Sequence, residues 1–182
     1  MKHIIPTTIA AVLLAGCGTT STQKPAEAQP DHAAAKGAVP GVPIHRAAWK
    51  GDLEIVQQHL AAGTGVDVKN KWGSTALHYT ARGGKVAVAG LLISSSADVN
   101  ARDADGLTPL HFAASAGHGE VAKLLITKGA DVKAKGGERK ASPIFSAVKK
   151  NRGNIVELLL ANGVDVNAKD AFAESPLDSA VK

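Results

Sequence analysis

One short word returns along this chain at a nearly fixed interval. Pro43-Ile44-His45, Ala76-Leu77-His78, Pro109-Leu110-His111, Pro143-Ile144-Phe145 and Pro176-Leu177-Asp178 begin 33, 33, 34 and 33 residues apart. A second marker runs in register with the first: Gly63-Thr64-Gly65-Val66, Ser96-Ala97-Asp98-Val99, Gly129-Ala130-Asp131-Val132 and Gly163-Val164-Asp165-Val166. Two independent markers at one period define an array of similar units, in which each unit packs chiefly on its neighbours.

The third unit displays the local physics most plainly. Thr108 offers an N-cap hydroxyl, and Pro109 takes the first helical position, where its missing N–H costs nothing. Leu110, Ala113 and Ala114 then fall at i, i+3 and i+4, one apolar face of a short helix. Gly117 breaks that helix. Val121, Leu124 and Leu125 repeat the spacing on a second helix, which Gly129 ends from a left-handed cap position. Asp105-Gly106 supplies a tight turn at the tip of the connecting loop. Neither helix can bury its face alone, so neighbours must stack. Composition agrees: 45% of residues are hydrophobic but only 3% aromatic, so Ala, Val and Leu must fill a core between thin, closely packed helices.

The period and its words resemble the ankyrin repeat, a 33-residue unit carrying Thr-Pro-Leu-His. The resemblance is strongest from Asp103 to Ala114, followed by Gly117-His118, and it extends over about 140 residues. It implies an all-α ankyrin-repeat solenoid of helix-turn-helix units joined by β-turn loops. Four full repeats are read at 40–72, 73–105, 106–139 and 140–172, with a partial one at 173–182, inside a domain spanning 42–182. Repeat 1 departs from the pattern with Val42 in the place of the capping Thr. It also has Gln58-His59 where later repeats have Leu pairs, as expected of an end repeat with no outer neighbour. Repeat 2 has Ala76 instead of Pro, and Gly90 in its second helix, a cost of about 1 kcal/mol relative to Ala. Repeat 4 has Phe145 instead of His and one extra residue in its loop at 135–140. A last helix is predicted over 176–181.

The amino terminus belongs to a different regime. Met1-Lys2-His3 is a short positive start, Ile4 to Leu14 is largely apolar, and Leu14-Ala15-Gly16-Cys17 follows. This is the layout of a secretory signal, too short to span a bilayer. Leu14-Ala15-Gly16-Cys17 also resembles the bacterial lipobox. That resemblance implies a lipoprotein signal peptide at 1–16, cleavage before Cys17, and acylation of the Cys17 thiol and the new amino terminus. Several chains on one residue anchor stably where one would not. By resemblance to enterobacterial lipoproteins, Gly18 in place of Asp favours the outer membrane, so the expected location is its periplasmic face. Residues 17–41 shift to Thr, Ser, Gln, Pro, Ala and Lys without apolar periodicity and read as a disordered tether. A coil of that length spans on the order of 25–30 Å.

Catalysis finds little support in the sequence. There is no His-Glu-x-x-His, no Gly-x-Ser-x-Gly and no phosphate-binding glycine loop. Cys17 is the single cysteine, so no intramolecular disulfide can form. His45, His78 and His111 recur at one repeat position, and the family resemblance implies that they hydrogen-bond within the motif turn and to the next backbone. Units about 10 Å apart could not bring them to one metal at the ~2 Å ligand distance. His118 is the ordinary Gly-His of the family, and His59 is expected to be half-solvated. Asp67, Asp98, Asp131 and Asp165 read as structural loop residues, and Gly83-Gly84 and Gly136-Gly137 as loop glycines at helix ends. No catalytic residue, metal or cofactor is expected.

What remains is a surface. Ankyrin proteins bind partners with loop tips and the exposed face of first helices, and the register assigns Trp49, Lys50, Lys71, Trp72, Arg82, Lys149 and Lys150 to that concave strip. Arg139 and Phe172 map to later loop tips. Both tryptophans fall on the strip, and Trp and Arg are enriched in binding hot spots. The strip is mainly basic and the whole chain carries a net charge of +5, so a protein partner with an acidic surface is expected. Nucleic acid is not expected, because export removes the opportunity. A monomer is expected. The implied function is protein binding at the cell envelope, as an adaptor or as an immunity-type inhibitor of a periplasmic toxin or enzyme. Trp49 and Trp72 as stacking platforms for carbohydrate or peptidoglycan form a third reading.

Overall fold

The computed structural model describes residues 40–178. The expected signal peptide, Cys17, nearly all of the tether and the end of the partial repeat lie outside the described residues.

Among the described residues, eight helices follow one another in pairs: α1 Ile44–Lys50 and α2 Leu53–Ala61, α3 Ala76–Gly83 and α4 Val86–Ser94, α5 Pro109–Ala116 and α6 Gly119–Thr127, α7 Pro143–Lys149 and α8 Gly153–Ala161. First helices pack on first helices in the order α1, α3, α5, α7, and second helices on second helices in the order α2, α4, α6, α8. The result is the all-α solenoid the period requires. No helix among the described residues is long and apolar enough to cross a membrane.

Helices α3, α5 and α7 start, and α1, α3 and α5 stop, for reasons visible in their residues. Thr75, Thr108 and Ser142 take extended backbone at the N-caps of α3, α5 and α7, and proline stands at the start of α5 and α7. Gly51, Gly84 and Gly117 close α1, α3 and α5 in the left-handed conformation, with φ of 90°, 68° and 87°. Over each of these glycines lies a basic side chain of the next repeat: Lys85 on Gly51, His118 on Gly84 and Arg152 on Gly117. The Lys85 and Arg152 cations suit the negative end of a helix dipole. His118 Nε2 lies 3.1 Å from the Arg82 carbonyl and Arg152 Nε 3.4 Å from that of Ser115.

The core is a double row. Ala47, Ala48, Ala81, Ala113, Ala114 and Ala147 are fully buried between first helices, and Leu92, Leu125 and Leu159 between second helices. The small residues allow the close approach that a 3% aromatic content predicts. Thr80 stands where Ala113 stands one repeat later, and its hydroxyl is satisfied by the Ala76 carbonyl at 2.9 Å. The recurring Asp residues are structural, as read: Asp98, Asp131 and Asp165 each accept a backbone N–H two residues on, and Asp67 accepts that of Asp98.

Three local expectations need correction. His59 is not half-solvated: it is 3% exposed, at the position of the core leucines. Its Nε2 sits 2.6 Å from the Val42 carbonyl and its Nδ1 3.2 Å from the Thr64 hydroxyl. The Val42 carbonyl, two residues before α1, reaches His59, and the imidazole bonds what a leucine could not. Gly136-Gly137 lies at a loop tip rather than a helix end. The extra residue is taken up there by an isolated antiparallel bridge between Gly136 and Ala141. A Cβ on Gly136 would come within 2.6 Å of the Gly106 carbonyl oxygen. Finally, residues 176–178 form a turn, in which the Asp178 carboxylate accepts the Ser175 N–H and Oγ–H at 2.8 and 2.7 Å.

Candidate binding groove

The groove begins with one loop. Asn70 Oδ1 accepts the N–H groups of Trp72 (2.9 Å) and Ser74 (3.1 Å), while Asn70 Nδ2 donates to the Tyr79 hydroxyl at 2.9 Å. The Trp72 carbonyl accepts the N–H of Ala104 from the next loop at 3.0 Å. Gly73, with φ of 70°, makes this approach possible, since a Cβ there would lie 2.7 Å from the Ala104 nitrogen. The backbone is therefore fixed from both sides. Yet the Trp72 side chain projects outward, leaving the residue 57% exposed with Lys71 Nζ 4.3 Å from the ring centroid.

Trp49 stands in the last turn of α1, 51% exposed. Together Trp49, Trp72 and Tyr79 line an open cleft of about 280 Å³, with Pro43, His45, Arg46 and Asn70 completing it. On the other side of Trp72 a second cleft, also about 280 Å³, is lined by Trp72, Tyr79, Phe112, Arg82, Asp103 and Asp105, with Ser74 and His78. Three residues of the predicted strip, Trp49, Trp72 and Arg82, thus border adjoining clefts, and Lys71 lies on the Trp72 ring. Lys50 ends α1 outside both clefts. Lys149 lies in repeat 4, where it lines a separate cleft of about 520 Å³ with Phe145 and Ser146, and Lys150 caps the same helix, exposed.

Tyr79 and Phe112 were not among the residues singled out from sequence. They occupy one repeat position, directly after the motif histidine, with Arg46 and Ser146 as counterparts. That position flanks the i, i+3, i+4 core face, so an aromatic residue there packs on the core while still lining the groove. The loop-tip Arg139 and Phe172, by contrast, face each other. Arg139 donates to Asp170 at 2.7 Å and to Glu174, and its guanidinium lies 5.0 Å from the Phe172 ring centroid. The Asp170 carboxyl is desolvated, which alone would raise its pKa. Arg139 and the N–H groups of Glu174 and Phe172 outweigh that and hold it below the usual range.

The histidine ladder is structural. His78 Nδ1 lies 3.1 Å from the Thr75 nitrogen and 2.9 Å from its hydroxyl, and Nε2 lies 3.0 Å from the Leu107 carbonyl. His111 repeats this with Thr108 and the Ala141 carbonyl, at 3.1, 2.9 and 3.1 Å. Burial lowers both pKa values, so each ring is neutral, accepting at Nδ1 and donating at Nε2. His45 lacks the capping Thr, reaches the Val68 carbonyl at 2.9 Å, and packs edge-on to Tyr79. Among the described residues no group of three or more His, Cys, Asp or Glu could hold a metal ion.

Stacked helical units that present exposed aromatic rings along a groove define an interaction module. A family model for three copies of ankyrin repeats matches residues 44–136, and one for a single ankyrin repeat matches 140–171. The chain belongs to the ankyrin-repeat family, whose members generally mediate protein–protein interaction and are typically not enzymes. No curated protein matches the chain.

Proposed function

We propose that this protein is an envelope-anchored module that grips a protein partner in the groove on either side of Trp72. The observation that carries the reading is the pairing of Trp49 and Trp72 in one cleft, with Trp72 on a loop whose backbone is already fixed. A large ring held ready by its scaffold loses little freedom on binding, which is the condition for a hot spot. Lys50, Lys71 and Arg82 surround the rings, and Lys149 and Lys150 extend the basic strip, so the partner's facing surface is acidic over most of its area. The Leu14-Ala15-Gly16-Cys17 motif supports anchoring at the periplasmic face of the outer membrane, through lipid on Cys17. Adaptor and immunity-type inhibitor roles would use the same groove.

The test is crosslinking in intact cells, with mass spectrometry of the captured protein. Trp49→Ala with Trp72→Ala should abolish capture while the melting temperature stays close to that of the parent, and Trp72→Ala alone should weaken binding by about 2 kcal/mol or more. Capture that survives the double substitution, with the fold intact, moves the site to another face. For the anchor, Cys17→Ser should abolish labelling by a fatty-acid analogue. A variant that still labels and fractionates with membranes refutes the lipid assignment.

A further inference from the structure

The two clefts that meet at Trp72 differ in chemistry. The cleft toward repeat 1 carries Arg46 and no carboxylate, whereas the cleft toward repeat 3 sets Asp103 and Asp105 against the rings of Trp72, Tyr79 and Phe112. Asp103 Oδ1 accepts the N–H groups of Asp105 (3.1 Å) and Leu107 (2.8 Å), which locks the carboxylate in place. Neither carboxylate is ion-paired among the described residues. Arg82 lines the same cleft, but it too is unpaired among the described residues, and its exposed head stands on a flexible stem. Two carboxylates and three aromatic rings share this cleft with one guanidinium, while Lys71 Nζ lies over the Trp72 ring without belonging to the lining, so the lining itself carries a net negative charge.

We infer that this second cleft receives a basic side chain of the partner protein, an arginine or a lysine. The inference rests on the protein-binding reading above and deepens it. Ring faces carry negative electrostatic potential and attract a cation, while the apolar stem of the incoming residue packs against the same rings. The head then reaches Asp103 and Asp105 in charge-assisted hydrogen bonds, and a planar guanidinium fits two carboxylates better than an ammonium does. An acidic side chain would meet both carboxylates instead. The partner surface is therefore patterned: acidic opposite Lys50, Lys71 and the basic rim, with one basic residue opposite Trp72, Tyr79 and Phe112. Such alternation penalises a shifted register, because like charges then face each other.

The experiment titrates the full chain with Nα-acetyl-arginine methylamide, its neutral citrulline counterpart and the glutamate derivative, following the Trp72 indole N–H by NMR. The arginine derivative should give a saturable shift, with the citrulline compound weaker by about tenfold or more and the glutamate compound silent. Asp103→Asn with Asp105→Asn should weaken arginine binding by a similar factor. Asparagine at 103 keeps the loop, since Asn70 plays the same part in the loop before it. Arg82→Gln, which removes the competing cation from the cleft, should tighten arginine binding. Equal response to citrulline, indifference to the double substitution, or weakening by Arg82→Gln would each overturn the inference. A silent arginine titration would overturn it too, while leaving the groove itself, which crosslinking tests, untouched.

Discussion

Two N-cap hydroxyls at equivalent positions should respond oppositely to the same substitution. Thr108 is 1% exposed, with its hydroxyl 2.9 Å and its backbone nitrogen 3.1 Å from His111 Nδ1. Alanine at 108 removes the hydroxyl contact but keeps the backbone one, so about half of the cap interaction is lost. Replacing an N-cap Thr by Ala costs about 0.5–2 kcal/mol, and full burial places this site at the upper end, about 1–2 kcal/mol. Ser142 is the counterpart in repeat 4, but Phe145 has replaced its histidine, and the Ser142 hydroxyl is buried with no hydrogen-bond partner. Alanine there breaks no hydrogen bond and removes a group whose desolvation goes uncompensated, so Ser142→Ala should be neutral or stabilising by up to about 1 kcal/mol. Urea denaturation at neutral pH measures both. Ser142→Ala as damaging as Thr108→Ala would mean that the hydroxyl does cap α7, and the explanation built on Phe145 would fail.

Further outcomes follow from the same packing. Gly90 lies inside α4 with open space where a Cβ would go, so Gly90→Ala should raise stability by about 0.5–1 kcal/mol, and a destabilised variant would show the site to be crowded. Leu125→Ala, between Leu92 and Leu159 in adjoining repeats, should cost about 2–5 kcal/mol, against less than about 0.5 kcal/mol for Ser115→Ala; equal effects would refute the register. His78 and His111 are held neutral by burial, so the unfolded chain binds more protons once pH falls below the ordinary value of 6.5. Their contribution is complete above that pH and is lost as pH falls through the lowered native values, so the urea midpoint should drop on acidification below about 6.5. A midpoint flat from neutral pH down to about 5 would remove the histidines from the stability balance.

The period, the caps and the apolar spacing made the fold legible, because in a stacked array every structural requirement is local and is restated every 33 residues. Thr108, Pro109, Leu110, Gly117 and Leu125 can each be assigned a task without knowing what lies across the molecule. The ends were less legible, since there the repeat's rule no longer applies. His59 reads as a polar residue at an unneeded core position until the Val42 carbonyl is seen 2.6 Å from its Nε2. The strip itself could be mapped by register, but which of its residues share a cleft could not. Register put Trp49 and Trp72 one repeat apart and near enough for one partner surface, but they sit at unlike repeat positions, one on a helix and one at a loop tip, and the geometry is what places them in one cleft. Tyr79 and Phe112 were missed because the motif around them draws the eye to the histidine one residue earlier.

The bonds that present Trp72 also hold the loop before α3, and α3 itself, to the loop before α5. Its carbonyl accepts from Ala104, Lys69 Nζ donates to the Arg102 carbonyl at 2.9 Å, and His78 Nε2 donates to that of Leu107. All three run between these two layers, and the second cleft draws its walls from both: Trp72, Tyr79 and Arg82 from the first loop and α3, Asp103, Asp105 and Phe112 from the next loop and α5. The groove is therefore only as well formed as that interface. In a stacked array, interfaces can loosen one at a time, because each unit depends on its immediate neighbours rather than on a shared core. Loosening between these two loop-and-helix layers would release the Trp72 loop and separate the rings from the carboxylates together. A ligand that spans the cleft would oppose that separation, so binding and the stability of this boundary should rise and fall as one.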